Sequence, residues 1–248
     1  MRHVFETMGT VVSLDAAGPS TALLADIEGI FANADARFSL HRVDSELSRI
    51  NAGTLSMLDA GPEVGEAYAL AAEWRSRTEG CFTPTRPDGL TDLNGVVKAI
   101  AMRDAGAALV KGGIQDWTLV VGGDLLASGR APDAGPWITG IIDPADRAAL
   151  LCAIELREPR TAIATSGSAE RGDHIWSATG RSEFLQATVV ADDIVTADVL
   201  ATAIIAGGDR MLRTACGRWP IDVLTVDRAG RLSATPGFRE ALAVPVAP

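Results

Sequence analysis

The sequence predicts an α+β fold, with mixed or antiparallel sheets and packed helices, in one domain spanning residues 1–248. Three observations lead there. Apolar residues recur at helical spacing in four stretches, while several shorter runs read as strands. The order of these elements is neither a regular βαβ alternation nor an all-β meander. No repeat, low-complexity tract or linker rich in Gly, Ser or Pro divides the chain, which favours one continuous domain over two.

In chain order, "TVVSLDA" (10–16) reads as the first strand. "LLADIEGIFANADARF" (23–38) is a helix by its apolar positions 23, 24, 27, 30, 31 and 34. "PEVGEAYALAAEWRSRTEG" (62–80) is a second helix, opened by Pro62 and followed by Gly80. "GVVKAIAMRDAGAALVKGG" (95–113) is a third, closed by paired glycines. "WTLVVGGDLLASG" (117–129) reads as two strands around a glycine turn, and "PWITGIID" (136–143) as another. "FLQATVVA" (184–191) and "IDVLTVD" (221–227) complete the strands. Between the last two, "IVTADVLATAIIAGG" (194–208) reads as a short helix, with Thr196 as its N-cap and Gly207-Gly208 as its stop.

A formal net charge of −10 argues against nucleic acid or an anionic membrane as the main partner. An anionic small molecule would need local help from a helix N-terminus, basic side chains or a metal. Cys81, Cys152 and Cys216 are odd in number and widely spaced, so no disulfide framework or zinc knuckle is implied. A reduced, cytoplasmic setting is expected. "MRHVFETMGTVVSLD" alternates like a strand rather than a signal peptide, and no apolar run approaches the ~18 residues that cross a bilayer.

The familiar nucleophile and phosphate motifs fail. There is no G-x-S-x-G, and "TSGS" (165–168) lacks the first glycine of a nucleophile elbow. "GGDLLASG" has no Lys-Ser or Lys-Thr and is neither a P-loop nor G-x-G-x-x-G. His174 lies in the polar, glycine-bearing stretch "SGSAERGDHIWSATG" (166–180), with Trp176 two residues on. It reads either as a general base or as a surface turn histidine. His41, in "FSLHRVDSEL" (38–47), either stacks on a flat ligand or lies on the surface. "TDLNGVVKAI" (91–100) places Asp92 and Lys98 around a helix start whose free amides suit phosphate, or it is merely a capped helix with a solvated lysine. Asp198 and Thr202, four apart on one helical face, either complement the helix dipole or point at a hard cation.

Taken together the segments resemble the ApbE family, the FAD:protein FMN transferases. The resemblance rests on seven motifs in order: "MGTVVSL", "FSLHRVDSELSRIN" (38–51), "TEGCFTPT" (78–85), "DLNGVVKAIAMRDA" (92–105), "VVGGDLLASGR" (121–130), "IATSGSAERGDHIW" (163–176) and "ADVLATAI" (197–204). It implies an ApbE-like, T-fold-like architecture. It also implies that FAD and a divalent cation, usually Mg2+, are bound, that AMP is released, and that FMN is attached through a phosphoester to a threonine or serine of a target flavoprotein. By position, the resemblance makes Asp198, Thr202 and a backbone carbonyl of the "DLNG" turn, at Gly95, the metal ligands. Met8 and His41 would flank the flavin ring, and Cys81, Phe82 and Thr83 would line the FAD pocket. Asp92 and Lys98 would meet the flavin nucleotide, with Trp176 nearby and His174 as base for the incoming hydroxyl.

The chain departs from the family pattern in places. His41 stands where many relatives have tyrosine, and "FTPT" lacks the usual carboxylate at Thr83. Arg103 replaces an acid beside Asp104, and the usual Asp-Pro is missing after His174. "TPTRPDGLTDLNG" runs straight from one motif to the next where relatives carry a long insertion, so this is a shortened member. Two other functions share the site: an FAD pyrophosphatase, in which water attacks, and a non-catalytic FAD-binding protein. The shortened middle and Arg103 favour the latter; His174, Asp198 and Thr202 disfavour it.

Overall fold

The computed structural model describes residues 1–167 and 182–244. Its spine is an eight-stranded antiparallel sheet built from β1 (Arg2–Thr7), β2 (Thr10–Ala16), β3 (Trp117–Val121), β4 (Asp124–Ser128), β7 (Ala162–Gly167), β8 (Phe184–Ala191), β9 (Asp222–Asp227) and β10 (Leu232–Ala234), in that spatial order. A second antiparallel sheet is ordered β11 (Leu242–Val244), β6 (Leu150–Leu156), β5 (Trp137–Ile142). The helices are α1 (Thr21–Phe38), α2 (Glu46–Asn51), α3 (Pro62–Arg77), α4 (Asn94–Lys111), α5 (Ile194–Arg218) and α6 (Pro236–Glu240). The α+β class and the antiparallel pairing therefore stand.

Each face of the large sheet has its own core. Phe31, Leu93, Met102, Leu119, Val189 and Leu200 belong to the core beneath the long helices. Leu125, Ile154, Ile163, Val190, Leu224 and Phe238 form the core between the large and small sheets. The division follows the period of two. Along β7, Ala162 and Ala164 face the helices while Ile163 faces the small sheet; Val189 and Val190 divide likewise on β8. Strands wet on neither face read as continuous apolar runs, which is why "FLQATVVA" shows so little alternation. Each large side chain so buried contributes about 1.5–3 kcal/mol.

Local chemistry fixes the connections. Met8 and Gly9 form a two-residue hairpin turn with φ of 49° and 69°, the paired positive values of a turn that matches strand twist. The stretch 1–15 is thus a hairpin rather than one strand. Pro62 opens α3, and Gly112 with Gly113 (φ 83°) ends α4, both as the sequence predicts.

α5 departs from the expectation at both ends. Its N-cap is Asp193, whose carboxylate accepts the Thr196 amide at 2.9 Å, so Thr196 is the third helical residue and not the cap. At Gly207-Gly208 the helix kinks instead of stopping, with Gly208 at φ 62° and ψ −153°, and then runs on to Arg218. Two consecutive side chains serve the polar groups at the bend. Ser182 Oγ donates to the Ile205 carbonyl (2.6 Å), and Glu183 Oε2 accepts from the Asp209 amide (3.2 Å). Those are the two groups that an unbroken helix would pair with each other. A Cβ at Gly208 would lie 2.7 Å from the Glu183 carboxylate.

Gly208→Ala should therefore lose stability twice over, through a backbone region open essentially to glycine alone and through the clash with Glu183. A loss of about 1–3 kcal/mol is expected from the backbone term, read from urea unfolding of the parent and variant. A change below about 0.5 kcal/mol, the size of an ordinary surface substitution, would show that the kink is not a glycine-dependent feature.

Candidate functional site

The site lies at one end of the large sheet. There the β1–β2 turn adjoins the β3–β4 turn, the Gly122 amide donating to the Val11 carbonyl at 3.2 Å. Asp124 begins β4 immediately beyond that turn and is fully buried. One of its oxygens accepts the Thr165 amide of β7 at 3.0 Å; the other meets the Lys98 ammonium of α4. Lys98 Nζ is also 3.6 Å from Asp198 Oδ1 of α5, and Asp198 is 4% exposed. Two carboxylates and one ammonium thus meet where α4, α5 and the sheet converge. Burial of such charges is tolerable only with close partners.

One turn along α5 from Asp198, Thr202 Oγ1 shares a hydrogen bond with Ser166 Oγ of β7 at 3.1 Å. Asp198 lies beyond the first turn of α5, so helix-dipole complementarity does not account for it. Lys98 is 13% exposed by side chain and held by carboxylates, which removes the solvated-lysine alternative.

Around this cluster the expected pocket residues fall in several places. Phe82 is buried with its ring over Gly95, where an added Cβ would come within 2.7 Å of the ring edge. Gly95 is in the first turn of α4, its carbonyl directed along the helix axis. Asp92 Oδ1 accepts the Asn94 amide at 2.9 Å, so the first donor of α4 is already engaged by the protein's own carboxylate. Cys81 is half-buried against Gly207 and takes a 3.3 Å contact from Arg210, whose guanidinium also bonds Glu79. That Glu79 carboxylate raises the Arg210 pKa further above its ordinary value. Thr83 turns its hydroxyl to the Thr85 amide (3.2 Å), and Met8 packs half-buried on the helix-side core.

Exposed His41 follows α1, with its amide on Ser39 Oγ at 3.4 Å; among the described residues no contact joins its ring to the buried charges. Arg103 is exposed and paired with Asp104 (2.8 Å). It lines an open groove of about 520 Å³ at the opposite end of α4, away from Lys98. His174 and Trp176 lie outside the described residues. All three cysteines are free, as expected, and burial raises the Cys152 thiol pKa, which disfavours its thiolate.

Sequence reasoning passed over Asp124, Ser166 and Asn51. Asn51, at the end of α2, clasps Thr91 from both sides: its Oδ1 accepts the Thr91 amide (2.9 Å) and its Nδ2 donates to the Thr91 carbonyl (2.8 Å). That clasp anchors the loop carrying Asp92. The connection between the two motifs closes compactly, with the Arg86 amide on the Leu90 carbonyl (2.8 Å) and the Asp92 amide on the Pro84 carbonyl (2.8 Å).

The sequence profile of the ApbE family matches residues 8–88 and 85–224, together most of the chain. The chain belongs to the ApbE family. Its two matched segments meet at residues 85–88, where the sequence passes directly between motifs. No curated protein sequence matches it. Among solved structures, the fold is similar to the flavin transferase ApbE from Vibrio cholerae, with TM-score 0.82 and 22% identity over 98% of this chain and 99% of that one. It is similar to the apo form of the Pseudomonas stutzeri flavinyl transferase ApbE, at 0.81 and 22% over 99% and 97%. The ApbE protein from Thermotoga maritima gives 0.82 and 19% over 97% and 98%.

Asn51→Ala removes two hydrogen bonds worth about 0.5–1.5 kcal/mol each. It is expected to lower the unfolding free energy by about 1–3 kcal/mol in urea while the far-ultraviolet circular dichroism stays native. Unchanged stability would mean that the Thr91 clasp does not hold the loop that carries Asp92.

Proposed function

We propose that this ApbE-family chain is a Mg2+-dependent FAD:protein FMN transferase, which cleaves FAD to AMP and attaches FMN to a threonine or serine of a target flavoprotein. The observation that carries the reading is the pairing of Lys98 with buried Asp198, one helical turn from the Thr202 hydroxyl, in a fold shared with proteins named flavin transferases. The donor set fits a hard divalent ion: a carboxylate and a hydroxyl one helical turn apart. Asp198 and Thr202 would hold the ion, with the Gly95 carbonyl as a third donor. When bound, magnesium supplies charge neutralisation at the breaking pyrophosphate.

The protein's own groups do the remaining work. Lys98 places a positive charge beside the phosphates, and Asp124 fixes that ammonium. Phe82, Cys81, Thr83, Met8 and His41 are the expected walls for FAD, with Asp92 on its nucleotide and Trp176 as a further cofactor-binding residue. His174 takes the proton of the acceptor hydroxyl at a ring nitrogen while that oxygen bonds the FMN-side phosphorus and the bond to AMP breaks. A positioned base of this kind contributes about 10²–10⁴ in rate. Among the described residues no helix is long and apolar enough to cross a membrane, and a cytoplasmic setting belongs to the same proposal.

The test incubates protein, FAD, Mg2+ and a flavoprotein acceptor, then separates AMP, free FMN and flavin-labelled protein. The parent should give AMP and labelled acceptor in equal amounts; Asp198→Ala or excess EDTA should abolish both. His174→Ala should bind FAD as the parent does and transfer about 10²–10⁴ more slowly. Full activity in EDTA would sink the metal assignment. AMP with free FMN alone would make the chain an FAD pyrophosphatase, and FAD binding without AMP release would make it a carrier.

A further inference from the structure

Lys98 is shared by two buried carboxylates that are not equivalent. Asp124 is fully buried and fixed from its other oxygen by the Thr165 amide at 3.0 Å. Asp198 stands 3.6 Å from the same ammonium on α5, one turn from the Thr202 hydroxyl. The two carboxylates outnumber the one ammonium that they share. Any divalent ion taken up by Asp198 would have to share that carboxylate with an ammonium, and like charges so close repel strongly.

We propose that Lys98 and the divalent cation compete for Asp198, with Asp124 as the fixed carboxylate onto which the ammonium withdraws when the cation binds. The proposal rests on the metal reading given above and adds a built-in competitor to it. The exchange moves no proton and makes no covalent bond. Lys98 Nζ keeps its contact with Asp124 and gives up the one with Asp198. Asp124 is a positioning residue in this scheme: it acts on the metal through Lys98. Without its carboxylate the ammonium loses the partner onto which it withdraws and competes better for Asp198. Without Lys98 the Asp124 charge acts on the metal only through space.

The experiment measures Mn2+ affinity by calorimetry on the whole chain without nucleotide, for the parent, Asp124→Asn, Lys98→Met and the double variant. Asp124→Asn should bind about tenfold more weakly than the parent. The double variant, which removes one charge of each sign and so leaves no uncompensated Asp124, should bind about tenfold more tightly than the parent. Its advantage over Asp124→Asn is then about a hundredfold. Where Lys98→Met is folded, it should bind at least as tightly as the double variant. A double variant that merely matches the parent would mean that the charges act independently through space, and would overturn the exchange. So would a crystal structure with Mn2+ on Asp198 and Lys98 Nζ still at its present distance. If neither the parent nor any variant binds Mn2+, the metal assignment fails together with the exchange; if the parent binds and the double variant does not tighten, the exchange alone fails.

Discussion

Strands β4, β7, β8 and β9 are covered on both faces, so each polar group they carry must find its partner inside the protein. Much of the molecule's layout answers that demand. Thr165 and Thr188 share a hydroxyl hydrogen bond at 3.0 Å across β7 and β8. Gln186 reaches over to the small sheet and donates to the Ile142 carbonyl at 3.2 Å. Asp222 accepts from the Thr235 hydroxyl (2.9 Å) and pairs with Arg160. Asp124 is the one fully buried carboxylate among the described residues, and its two partners come from a neighbouring strand and from α4. Satisfying it therefore ties helix to sheet at the place where the candidate site is built.

The helix-side architecture was legible because amphipathic spacing and end signals agreed. Leu24, Ile27 and Phe31 set the inner face of α1, and Pro62 and the 112–113 glycines marked ends that the structure keeps. The small sheet was half legible. "PWITGIID" stood out, but β6 and β11 pair only through tertiary contact and their sequences carry no turn or period strong enough to announce them. β7 was hidden for another reason: Thr165, Ser166 and Gly167 look like loop residues, and only pairing with β8 makes them a strand. The N-terminal hairpin was missed because Met8 gives no glycine-like signal for the positive φ that it adopts.

For the site, the sequence marked the groups whose spacing is local. Asp198 and Thr202 are four apart on one helix, so their shared face could be read directly. Asp124 could not be read that way. Its partners Lys98 and Thr165 stand 26 residues before it and 41 after it, and no window of sequence contains all three. An acid placed just inside a strand after Gly-Gly was the available hint, since the three positions that follow it, Leu125, Leu126 and Ala127, are apolar. Asn51 was similarly inconspicuous, because its partner is the backbone of Thr91 and a backbone partner leaves no residue-type signature.

The two adjacent glycines of α5 bear on how accurately the site can be set. At Gly207 an added Cβ would meet Cys81 Sγ at 2.5 Å, and at Gly208 the Glu183 carboxylate at 2.7 Å. These neighbours arrive from different parts of the chain and press on two successive positions at the kink. Contact at two such positions works as a mechanical detent. Rotating the helix would drive a backbone atom into one neighbour, and sliding it by one residue would bring a side chain where only hydrogen fits. Asp198 and Thr202 ride on the same rod, so their height and azimuth above the sheet are indexed at a point one to three turns away from them.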